Sequence, residues 1–351
     1  MSQNKKNLLV TFADRNFIPQ AQALLAGAYL NGGWDGDYMI LTPDMTADDV
    51  KRFEAKGIMV NVKEIPVDTG NLKKFPATIY LIFHLFSEEF KKWQNILYLD
   101  VDTLVRADLA ELTRVSGFAA AAEVFNGKLK SQFDFYQLQN NPYSPAKHLG
   151  LSRLEYQQKF KELKKNYDLT TTGFNAGVMA FNTDIIKSDT FSSLIEINKK
   201  YGKIVAFPPQ GELNLFFYKK WQKLPVVYNA YAFIWNHFYK IPLSKIDGII
   251  LHLVQASEKN VKPWETSSFF YQQWCQNLDA FPHIDFSSPK KPSKSWSPEA
   301  IDQYCGKIRR RQLLFDSYLK FDRLLGLLGL WLKNNFPGLY FFLKRYVKRE
   351  K

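Results

Sequence analysis

The chain has 351 residues, of which 46% are hydrophobic and 16% aromatic. This is enough for one large α/β domain with an appendage, or for two modest domains. The formal net charge is +13, but residues 303–351 hold twelve Lys/Arg and three Asp/Glu and so carry +9 of it. Because the rest of the chain is close to neutral, the composition excludes a uniformly basic nucleic-acid binder and indicates a basic tail on an ordinary domain.

The two cysteines and the N-terminal residues bear on the compartment. Cys275 and Cys305 have no Cys-x-x-Cys or His-rich spacing, so the sequence indicates neither a disulfide framework nor a zinc site and favours a reducing compartment. The first lysines are followed by a strand-like stretch, Leu8–Phe12, and not by an apolar signal region with a cleavage site. We therefore expect a cytoplasmic protein.

Strands and helices alternate from the first residues. Predicted strands cover residues 8–12, 38–41 and 58–65, and predicted helices cover residues 19–29, 46–56 and 78–93. Thr46 supplies a hydroxyl N-cap followed by early acidic residues, and Gly57 ends that helix. This alternation predicts a parallel sheet with nucleotide-binding topology.

The chemistry is centred on two acidic residues one position apart. Ile96–Leu99 is a short apolar run that predicts a buried strand, and Asp100 and Asp102 follow it directly. Two carboxylates at the end of a buried strand repel each other unless a cation lies between them. Since ligands of open α/β sheets bind beyond the carboxyl ends of strands, the pattern predicts a metal site for a phosphate-bearing substrate. Alternatively, Asp100 caps the next turn and Asp102 faces water.

The middle of the chain changes character after a further predicted strand at residues 118–125. Residues 126–172 are polar and lack a clear period until a charged helix at 153–166, and we interpret them as a lid over an acceptor or as a surface insertion. Asn175, Ala176 and Gly177 then open an apolar strand, where small residues indicate backbone lying close to a ligand.

Two helices and a last strand follow. The helices are predicted at residues 188–201 and from Gln210 onward, and the last strand, residues 249–254, contains His252. Lys262-Pro-Trp264 comes ten residues after this histidine. Taken alone, His252 between two leucines is typical of a core histidine, and Lys262-Pro-Trp264 is typical of a surface turn.

Residues 287–298 form a Pro/Ser/Lys-rich stretch that predicts a linker between a domain at 1–286 and a tail at 299–351. The tail reads as a basic helix over 298–334 whose apolar residues lie on one side: Leu313, Leu314, Tyr318, Phe321, Leu324, Leu325, Leu328 and Trp331. Its longest apolar run is far too short to span a bilayer. A basic amphipathic tail suits an anionic membrane surface. The alternatives are a helix packed back on the domain and an interface with a partner.

Taken together, these motifs resemble glycosyltransferase family 8, the retaining enzymes that include glycogenin and bacterial lipopolysaccharide α-galactosyltransferases and α-glucosyltransferases. The match is carried, in the family's order, by residues 12–17, 97–102, 174–178 and 210–214, and by His252 with Lys262-Pro-Trp264. It covers residues 7 to 265. The resemblance implies an α/β fold of the GT-A type, with a mixed, mainly parallel central sheet and the basic helical tail appended.

The resemblance also implies a role for each matching position. Asp100, Asp102 and His252 would bind Mn²⁺ (or Mg²⁺), and Gln210 and Asn175 would be the catalytic residues. The nucleotide-sugar-binding residues would be Asp14, Asn16, Asp100, Val101, Asp102, Asn175, Ala176, Gly177 and Lys262. Lys262 would neutralise the diphosphate, while Asp14 and Asn16 would contact the uridine.

The implied reaction moves a hexose, from UDP-glucose or UDP-galactose, to a saccharide or a glycolipid such as a lipopolysaccharide precursor. Because Gln210 is a poor nucleophile, front-face attack within an ion pair is expected. The chain departs from the family around this residue, since Pro209 and Gly211 stand where acidic residues are usual. The sequence therefore leaves the donor sugar open.

Other enzyme classes account for the same acids less well. In a haloacid-dehalogenase-type phosphatase, Asp100 would be the nucleophile and Asp102 the acid/base, but that class needs its motif on an opening strand and a later acidic pair. A nucleotidyltransferase would need a Gly-rich loop, which residues 13–17 lack. A catalytically inactive, membrane-associated scaffold with the same fold is the alternative from outside the enzymes.

Overall fold

The computed structural model describes residues 6–68, 76–123, 128–133, 151–255 and 261–336. Within these ranges the strands are β1 (Leu8–Phe12), β2 (Asp37–Thr42), β3 (Ile58–Val62), β4 (Asn95–Leu99), β5 (Thr103–Val105), β6 (Phe118–Ala122), β7 (Phe174–Asn182), β8 (Trp221–Leu224), β9 (Ala230–Tyr231) and β10 (Ile250–His252). The helices are α1 (Ile18–Leu30), α2 (Ala47–Glu54), α3 (Arg153–Asn166), α4 (Thr190–Tyr201), α5 (Gln210–Phe216), α6 (Ala232–Tyr239), α7 (Tyr271–Ala280) and α8 (Pro298–Asn335).

A seven-stranded sheet in the order β3-β2-β1-β4-β7-β6-β8 forms the centre of the molecule. Strands β1 to β4 pair in parallel, and β8 pairs in parallel with β6. Strand β7 runs antiparallel to both of its neighbours, β4 and β6. The predicted mixed, mainly parallel α/β sheet is therefore confirmed.

Successive residues of the central strands enter different hydrophobic cores, as the two-residue period of a strand requires. Leu9 and Leu97 pack on one face, beneath α1 and α2. Val10 and Ile96 pack on the other, beneath residues 77–90 and the helices α4 and α5. Because both faces are covered, β1 and β4 are buried along their whole length.

A second, three-stranded sheet, β5-β10-β9, was not expected from the sequence. Strand β10 pairs antiparallel with β5, which places His252 opposite Thr103, and it pairs in parallel with β9. Strands of two or three residues are too short to show a hydrophobic period. This sheet leaves the central one just after β4 and carries the histidine of the predicted site.

The segment expected to be helical at residues 78–93 is helical, but not as one α-helix. The chain forms two 3₁₀ helices, Ala77–Phe86 and Glu88–Lys92, with Ser87 in an extended conformation between them. Six of the ten residues in the first are buried: Tyr80, Leu81, Ile82, Phe83, Leu85 and Phe86. A segment buried on several sides lacks the single apolar stripe of a surface α-helix, and here tertiary packing overrides local preference.

Several predicted elements are shorter in the structure. The strand predicted at 58–65 ends at Val62, and the strand predicted at 118–125 ends at Ala122. The strand predicted at 249–254 covers only Ile250–His252. The charged helix at 153–166 is present and begins with a capping box between Ser152 and Glu155. Of the proposed lid, residues 126–127 and 134–150 lie outside the described residues.

Helix α8 begins on the domain and extends beyond it. Ile308 is buried, and the ring of Phe315 lies 5.4 Å from Phe238 and 5.8 Å from Tyr239. Other large apolar side chains of the helix, before and after Phe315, are exposed: Leu313, Leu314, Tyr318, Phe321, Leu328, Leu330 and Trp331. The side chains of Leu324 and Leu325, and residues 337–351, lie outside the described part of the chain. None of the helices described has the length and apolar character needed to cross a membrane.

Candidate active site

The site is built on the tight turn that follows β4. The backbone N–H and the hydroxyl of Thr103 both donate to the carbonyl oxygen of Asp100, at 3.1 and 2.7 Å. These bonds fold residues 100–103 back on themselves before β5 begins. Both carboxylates of the motif consequently lie on one turn, with Val101, half-buried, between them.

Pairing of the short strands brings His252 to this turn. The N–H of Leu253 donates to the carbonyl oxygen of Asp102 at 3.0 Å, which extends the β5–β10 ladder to the motif. The His252 Nε2 atom lies 3.2 Å from Asp102 Oδ1 and 3.7 Å from Asp100 Oδ2. The ring is only 3% exposed, so it faces the carboxylates and not solvent. The predicted group of two acids and one imidazole is therefore brought together.

Lys262 completes the cluster. Its Nζ atom lies 2.5 Å from Asp102 Oδ2 and its side chain is 28% exposed. Burial alone would raise the pKa of Asp102, but Lys262 and His252 outweigh it and hold that pKa well below its usual range. Removal from water raises the pKa of Asp100. The two carboxyl groups thus have separate environments, which shift their pKa values in opposite directions.

Two neighbours outside the predicted metal ligands shape the cluster: Tyr98, which the sequence did not indicate, and Gly177, which was predicted to line the nucleotide sugar. The Tyr98 hydroxyl donates to Asp100 Oδ1, because residues 98 and 100 lie on the same side of the chain leaving β4. Gly177 supports the cluster from β7, where its carbonyl oxygen accepts from the Asp100 N–H at 2.8 Å. A Cβ on Gly177 would lie 2.8 Å from Asp100 Oδ2 and would overlap the His252 ring. Only glycine leaves room for both groups.

Gln210, at the start of α5, is held by a dense set of hydrogen bonds. Its Oε1 accepts from Asn175 Nδ2 at 2.9 Å and from the Ala176 N–H at 3.0 Å. Its Nε2 donates to Glu123 Oε2 at 3.0 Å and to Gln132 Oε1 at 2.8 Å. The predicted residues 175, 176 and 210 are thus in direct contact. The residues next to Gln210 in the sequence are not acidic, but Glu123, just after β6, places a carboxylate beside it.

Asp14 and Asn16 lie on the turn after β1, the strand next to β4 in the sheet. The Asp14 carboxylate accepts from the Asn16 N–H at 2.8 Å and caps this turn, and the Asn16 side chain is exposed. Phe17, on the same turn, meets Trp264 edge to face at 6.1 Å between ring centroids. The turn after β1 and the segment carrying Lys262 therefore lie in contact with each other.

The Asp100, Asp102 and His252 side chains fit a divalent cation. Each offers one ligand atom, and these atoms lie within 4.8 Å of one another. Carboxylate oxygens with one imidazole nitrogen suit Mn²⁺ or Mg²⁺, and the absence of sulfur ligands argues against softer metals. The described residues thus offer a set of three ligands for one cation.

The comparison with known families decides the identity of this arrangement. The model described as Glycosyl transferase family 8 matches residues 9–268. The chain belongs to glycosyltransferase family 8. The resemblance drawn from the motifs is confirmed, and the matched region contains every residue of the predicted site.

Curated relatives in the family are distant. Galactinol synthase 4 of Arabidopsis thaliana is 24% identical over 229 residues, covering 64% of this chain and 63% of that protein. Glycosyltransferase GlyF of Streptococcus pneumoniae serotype 4 is 21% identical over 273 residues, covering 75% of this chain and 58% of that protein. The chain therefore spans about three fifths of the length of these relatives.

Solved structures support the fold. A galactosyltransferase, LgtC, in complex with donor and acceptor sugar analogues, superimposes with a TM-score of 0.54 at 14% identity, covering 78% of this chain and 95% of that one. The apo bifunctional glycosyltransferase WbbM gives a TM-score of 0.54 at 19% identity, covering 79% and 50%. The expected GT-A type fold is confirmed at this level.

Sequence reasoning missed three side chains of this family 8 site: Tyr98, Glu123 and Asn229. Tyr98 stood inside the quoted motif, and its two-residue spacing from Asp100 was a usable signal. Glu123 and Asn229 come from separate segments, after β6 and before β9, and local sequence gives no sign that they meet the others. Asn229 Oδ1 lies 2.8 Å from His252 Nδ1.

A buried acid lies two residues beyond Gln210 on α5. Glu212 is fully buried, and its Oε1 accepts from Tyr80 at 3.1 Å and from Asn198 at 2.9 Å. Its Oε2 accepts no hydrogen bond from the residues that the structure describes. Burial raises the pKa of Glu212 to about 7. The proton is thus held in the folded state at a pH where the unfolded chain has lost it.

We expect Gly177→Ala to weaken Mn²⁺ binding at least about tenfold, because the added methyl displaces the His252 ring from the carboxylates. Mn²⁺ titration followed by electron paramagnetic resonance measures the Kd. Gly306→Ala is the matched control, since a Cβ there meets nothing within 4 Å. Unchanged Mn²⁺ affinity in Gly177→Ala would contradict the close packing of this glycine against the ligands.

The raised pKa of Glu212 makes folding stability depend on pH. A carboxyl whose pKa is raised on folding stabilises the native state fully below about pH 4.5, and this contribution falls as pH rises to about 7. The loss is roughly 3 kcal/mol at about 1.4 kcal/mol per pH unit. Glu212→Gln mimics the protonated acid, so its stability should change less between about pH 5 and about pH 8 than that of the wild type.

Chemical denaturation at the two pH values measures this difference. Glu196→Gln, at an exposed position on α4, controls for the loss of a surface charge. Parallel pH profiles for the wild type and Glu212→Gln would show that Glu212 does not hold its proton in the folded protein.

Proposed function

We propose that the chain is a retaining, metal-dependent hexosyltransferase that moves glucose or galactose from its UDP-sugar to a saccharide or glycolipid. The observation that carries the proposal is the convergence of Asp100, Asp102 and His252 with Lys262 beside Asp102. Two carboxylates and an imidazole suit a cation, and the neighbouring lysine suits a diphosphate bound beside that cation. Family membership supports the same reaction class.

Each group has a defined task in this proposal. Asp100, Asp102 and His252 would hold Mn²⁺ (or Mg²⁺), which when bound supplies Lewis-acid stabilisation of the leaving diphosphate. Lys262 adds a positive charge on the same side of the site, where its Nζ already lies at 2.5 Å from Asp102. Asp14 and Asn16, at the neighbouring strand end, are assigned to the nucleoside.

Retention of configuration is assigned to front-face attack. The side-chain oxygen of Gln210, Oε1, already accepts two hydrogen bonds, from Asn175 Nδ2 and from the Ala176 N–H, so its lone pairs are directed at donors. An amide oxygen engaged in this way is a weaker nucleophile still. Gln210 and Asn175 are therefore assigned to orienting the sugar and stabilising the charge that develops on it.

The hexose donor is supported by the names of the relatives and by one contact. Galactinol synthase and the galactosyltransferase LgtC are named for galactosyl chemistry. The Glu123 carboxylate, 3.0 Å from Gln210 Nε2, offers an acceptor for sugar hydroxyl groups where the residues flanking Gln210 offer none. UDP-galactose and UDP-glucose are accordingly the donors to test first.

The alternative enzyme class is not supported. A haloacid-dehalogenase-type phosphatase would use Asp100 as a nucleophile, whereas here Tyr98 donates to Asp100 and the motif follows the fourth strand of the chain. The family match over residues 9–268 also argues against it. An inactive scaffold is distinguished from an enzyme by donor turnover.

A peripheral position at the inner face of a membrane in the cytoplasm completes the proposal. Both cysteines are free, as expected in a reducing compartment. The tail, residues 299–351, combines its basic residues with exposed apolar side chains such as Leu314, Phe321 and Trp331. Such a surface suits anionic lipid, which would bring the site to a glycolipid acceptor such as a lipopolysaccharide or capsule precursor.

We expect Asp102→Ala to lower Mn²⁺-dependent UDP-hexose turnover by at least about 100-fold, because it removes a cation ligand and the partner of Lys262. Release of UDP, with and without sugar acceptors, measures turnover, and NMR of the wild-type product reports the retained anomeric configuration. Asp184→Ala, at an exposed carboxylate away from the cluster, is the control. Normal turnover by Asp102→Ala would remove the metal assignment.

The tail predicts lipid binding that depends on charge and on apolar contact together. The wild type should sediment with vesicles of phosphatidylcholine and phosphatidylglycerol, and high salt should weaken binding by roughly 1 kcal/mol per screened basic residue. The variant Leu314→Asp/Phe321→Asp/Leu328→Asp should stay in the supernatant. Val62→Asp, which changes an exposed apolar residue of β3, is the control. Equal sedimentation of both variants would contradict this assignment.

A further inference from the structure

A continuous line of side-chain hydrogen bonds runs from the metal-ligand histidine to Gln210. His252 Nδ1 lies 2.8 Å from Asn229 Oδ1, Asn229 Nδ2 lies 3.0 Å from Asn175 Oδ1, and Asn175 Nδ2 lies 2.9 Å from Gln210 Oε1. The four residues come from β10, the turn before β9, β7 and α5. The line therefore crosses from the small sheet to the central sheet.

Two backbone N–H groups of β7 determine the direction of these bonds. The Gly177 N–H donates to Asn175 Oδ1 at 3.0 Å, and the Ala176 N–H donates to Gln210 Oε1 at 3.0 Å. A backbone N–H can only donate, so the atom facing it in each amide side chain must be the oxygen. The orientation of the Asn175 and Gln210 amides follows without any choice about where hydrogens lie.

The orientation of Asn229 follows in turn. Asn175 presents an oxygen to it, so Asn229 must present its NH₂ group there and its own oxygen to His252. An oxygen at 2.8 Å accepts only from a protonated Nδ1, so the neutral ring carries its hydrogen on Nδ1 and a lone pair on Nε2. Nε2 is the atom that lies 3.2 Å from Asp102.

We propose that Asn229 is a positioning residue that holds His252 in the Nδ1–H tautomer required of a metal ligand, and that ties this ligand to Asn175 and Gln210. The metal part of this inference rests on the proposed function. Asn229 is fully buried, and its Nδ2 also lies 3.3 Å from the Tyr231 hydroxyl, so its amide has no freedom to turn over. A hydrogen-bond partner on the second ring nitrogen is the usual means of orienting a metal-binding histidine.

An aspartate at this position separates the two tasks. In Asn229→Asp, a carboxylate oxygen still accepts from His252 Nδ1, but the other oxygen faces Asn175 Oδ1, where two acceptors repel each other. In Asn229→Ala neither contact remains. Because Asn175 holds Gln210, the aspartate variant should keep the metal and lose the sugar end of the site.

The first measurement is Mn²⁺ affinity by electron paramagnetic resonance, which needs no turnover. Asn229→Asp should bind Mn²⁺ within about threefold of the wild type, whereas Asn229→Ala should bind about 10 to 100 times more weakly. In the presence of saturating Mn²⁺, the kcat of Asn229→Asp for UDP-hexose should be at least about tenfold lower than that of the wild type, since Gln210 loses the hydrogen bond that holds it. Asn236→Asp, on α6, breaks the bond from Asn236 Nδ2 to the carbonyl oxygen of Ile241 and controls for the stability cost of a lost amide.

The second measurement is the tautomer itself. Long-range ¹H–¹⁵N correlation spectra of ¹⁵N-histidine-labelled protein at alkaline pH distinguish Nδ1–H from Nε2–H, and His252→Gln assigns the signal among the five histidines. The wild type and Asn229→Asp should show Nδ1–H, and Asn229→Ala should lose this preference. An Nε2–H ring in the wild type overturns the proposal, as does an equal loss of Mn²⁺ affinity in both Asn229 variants. If no UDP-hexose is turned over but the tautomer and the order of affinities hold, the inference stands and the proposed function falls.

Discussion

Two carboxylates on one tight turn repel each other, and residues from a distant part of the chain offset that repulsion. Asp100 and Asp102 cannot move apart, because Thr103 binds the carbonyl oxygen of Asp100 and β5 begins at once. Compensation comes from residues about 150 positions later in the chain, His252 and Lys262, at 3.2 and 2.5 Å from Asp102. The small sheet β5-β10-β9 is the device that delivers the histidine, since β10 pairs with the strand that follows the turn. The meeting of His252 with the two carboxylates therefore depends on a three-stranded sheet of very short strands.

Strand β7 has the second central role, and it acts mainly through its backbone. It lies antiparallel between two strands that run the other way, so its N-terminal residues reach the carboxyl end of β4. There the N–H groups of Ala176 and Gly177 orient the amides of Gln210 and Asn175, while the missing side chain of Gly177 leaves space for His252. Backbone groups of a buried strand cannot reorient, which makes them suitable for imposing a direction on neighbouring side chains. Gln210 and the cluster around His252 are thereby parts of one hydrogen-bonded unit.

Gln210 has a charged neighbour even though the residues beside it in the sequence are not acidic. Glu123 reaches Gln210 from the end of β6, and Glu212 is buried behind it against Tyr80 and Asn198. These two acids differ physically, because Glu123 is half-buried within the site whereas Glu212 is sealed in the core with a raised pKa. A tail with exposed apolar side chains contrasts with this closed domain, and it is the part of the chain that is suited to an external surface.

The sequence by itself determined the elements whose signals are local: the parallel strands β1 to β4, the capped helices, the acidic motif after β4, and the order of motifs that identified the family. Apolar runs, N-caps and short motifs are encoded in neighbouring residues, so they can be predicted from sequence. Only the tertiary structure decided that residues 77–92 are 3₁₀ helices, that β5, β9 and β10 form a second sheet, and that Asn229 and Glu123 join His252 and Gln210. Those outcomes depend on pairing and burial between segments far apart in the chain, which no local pattern records.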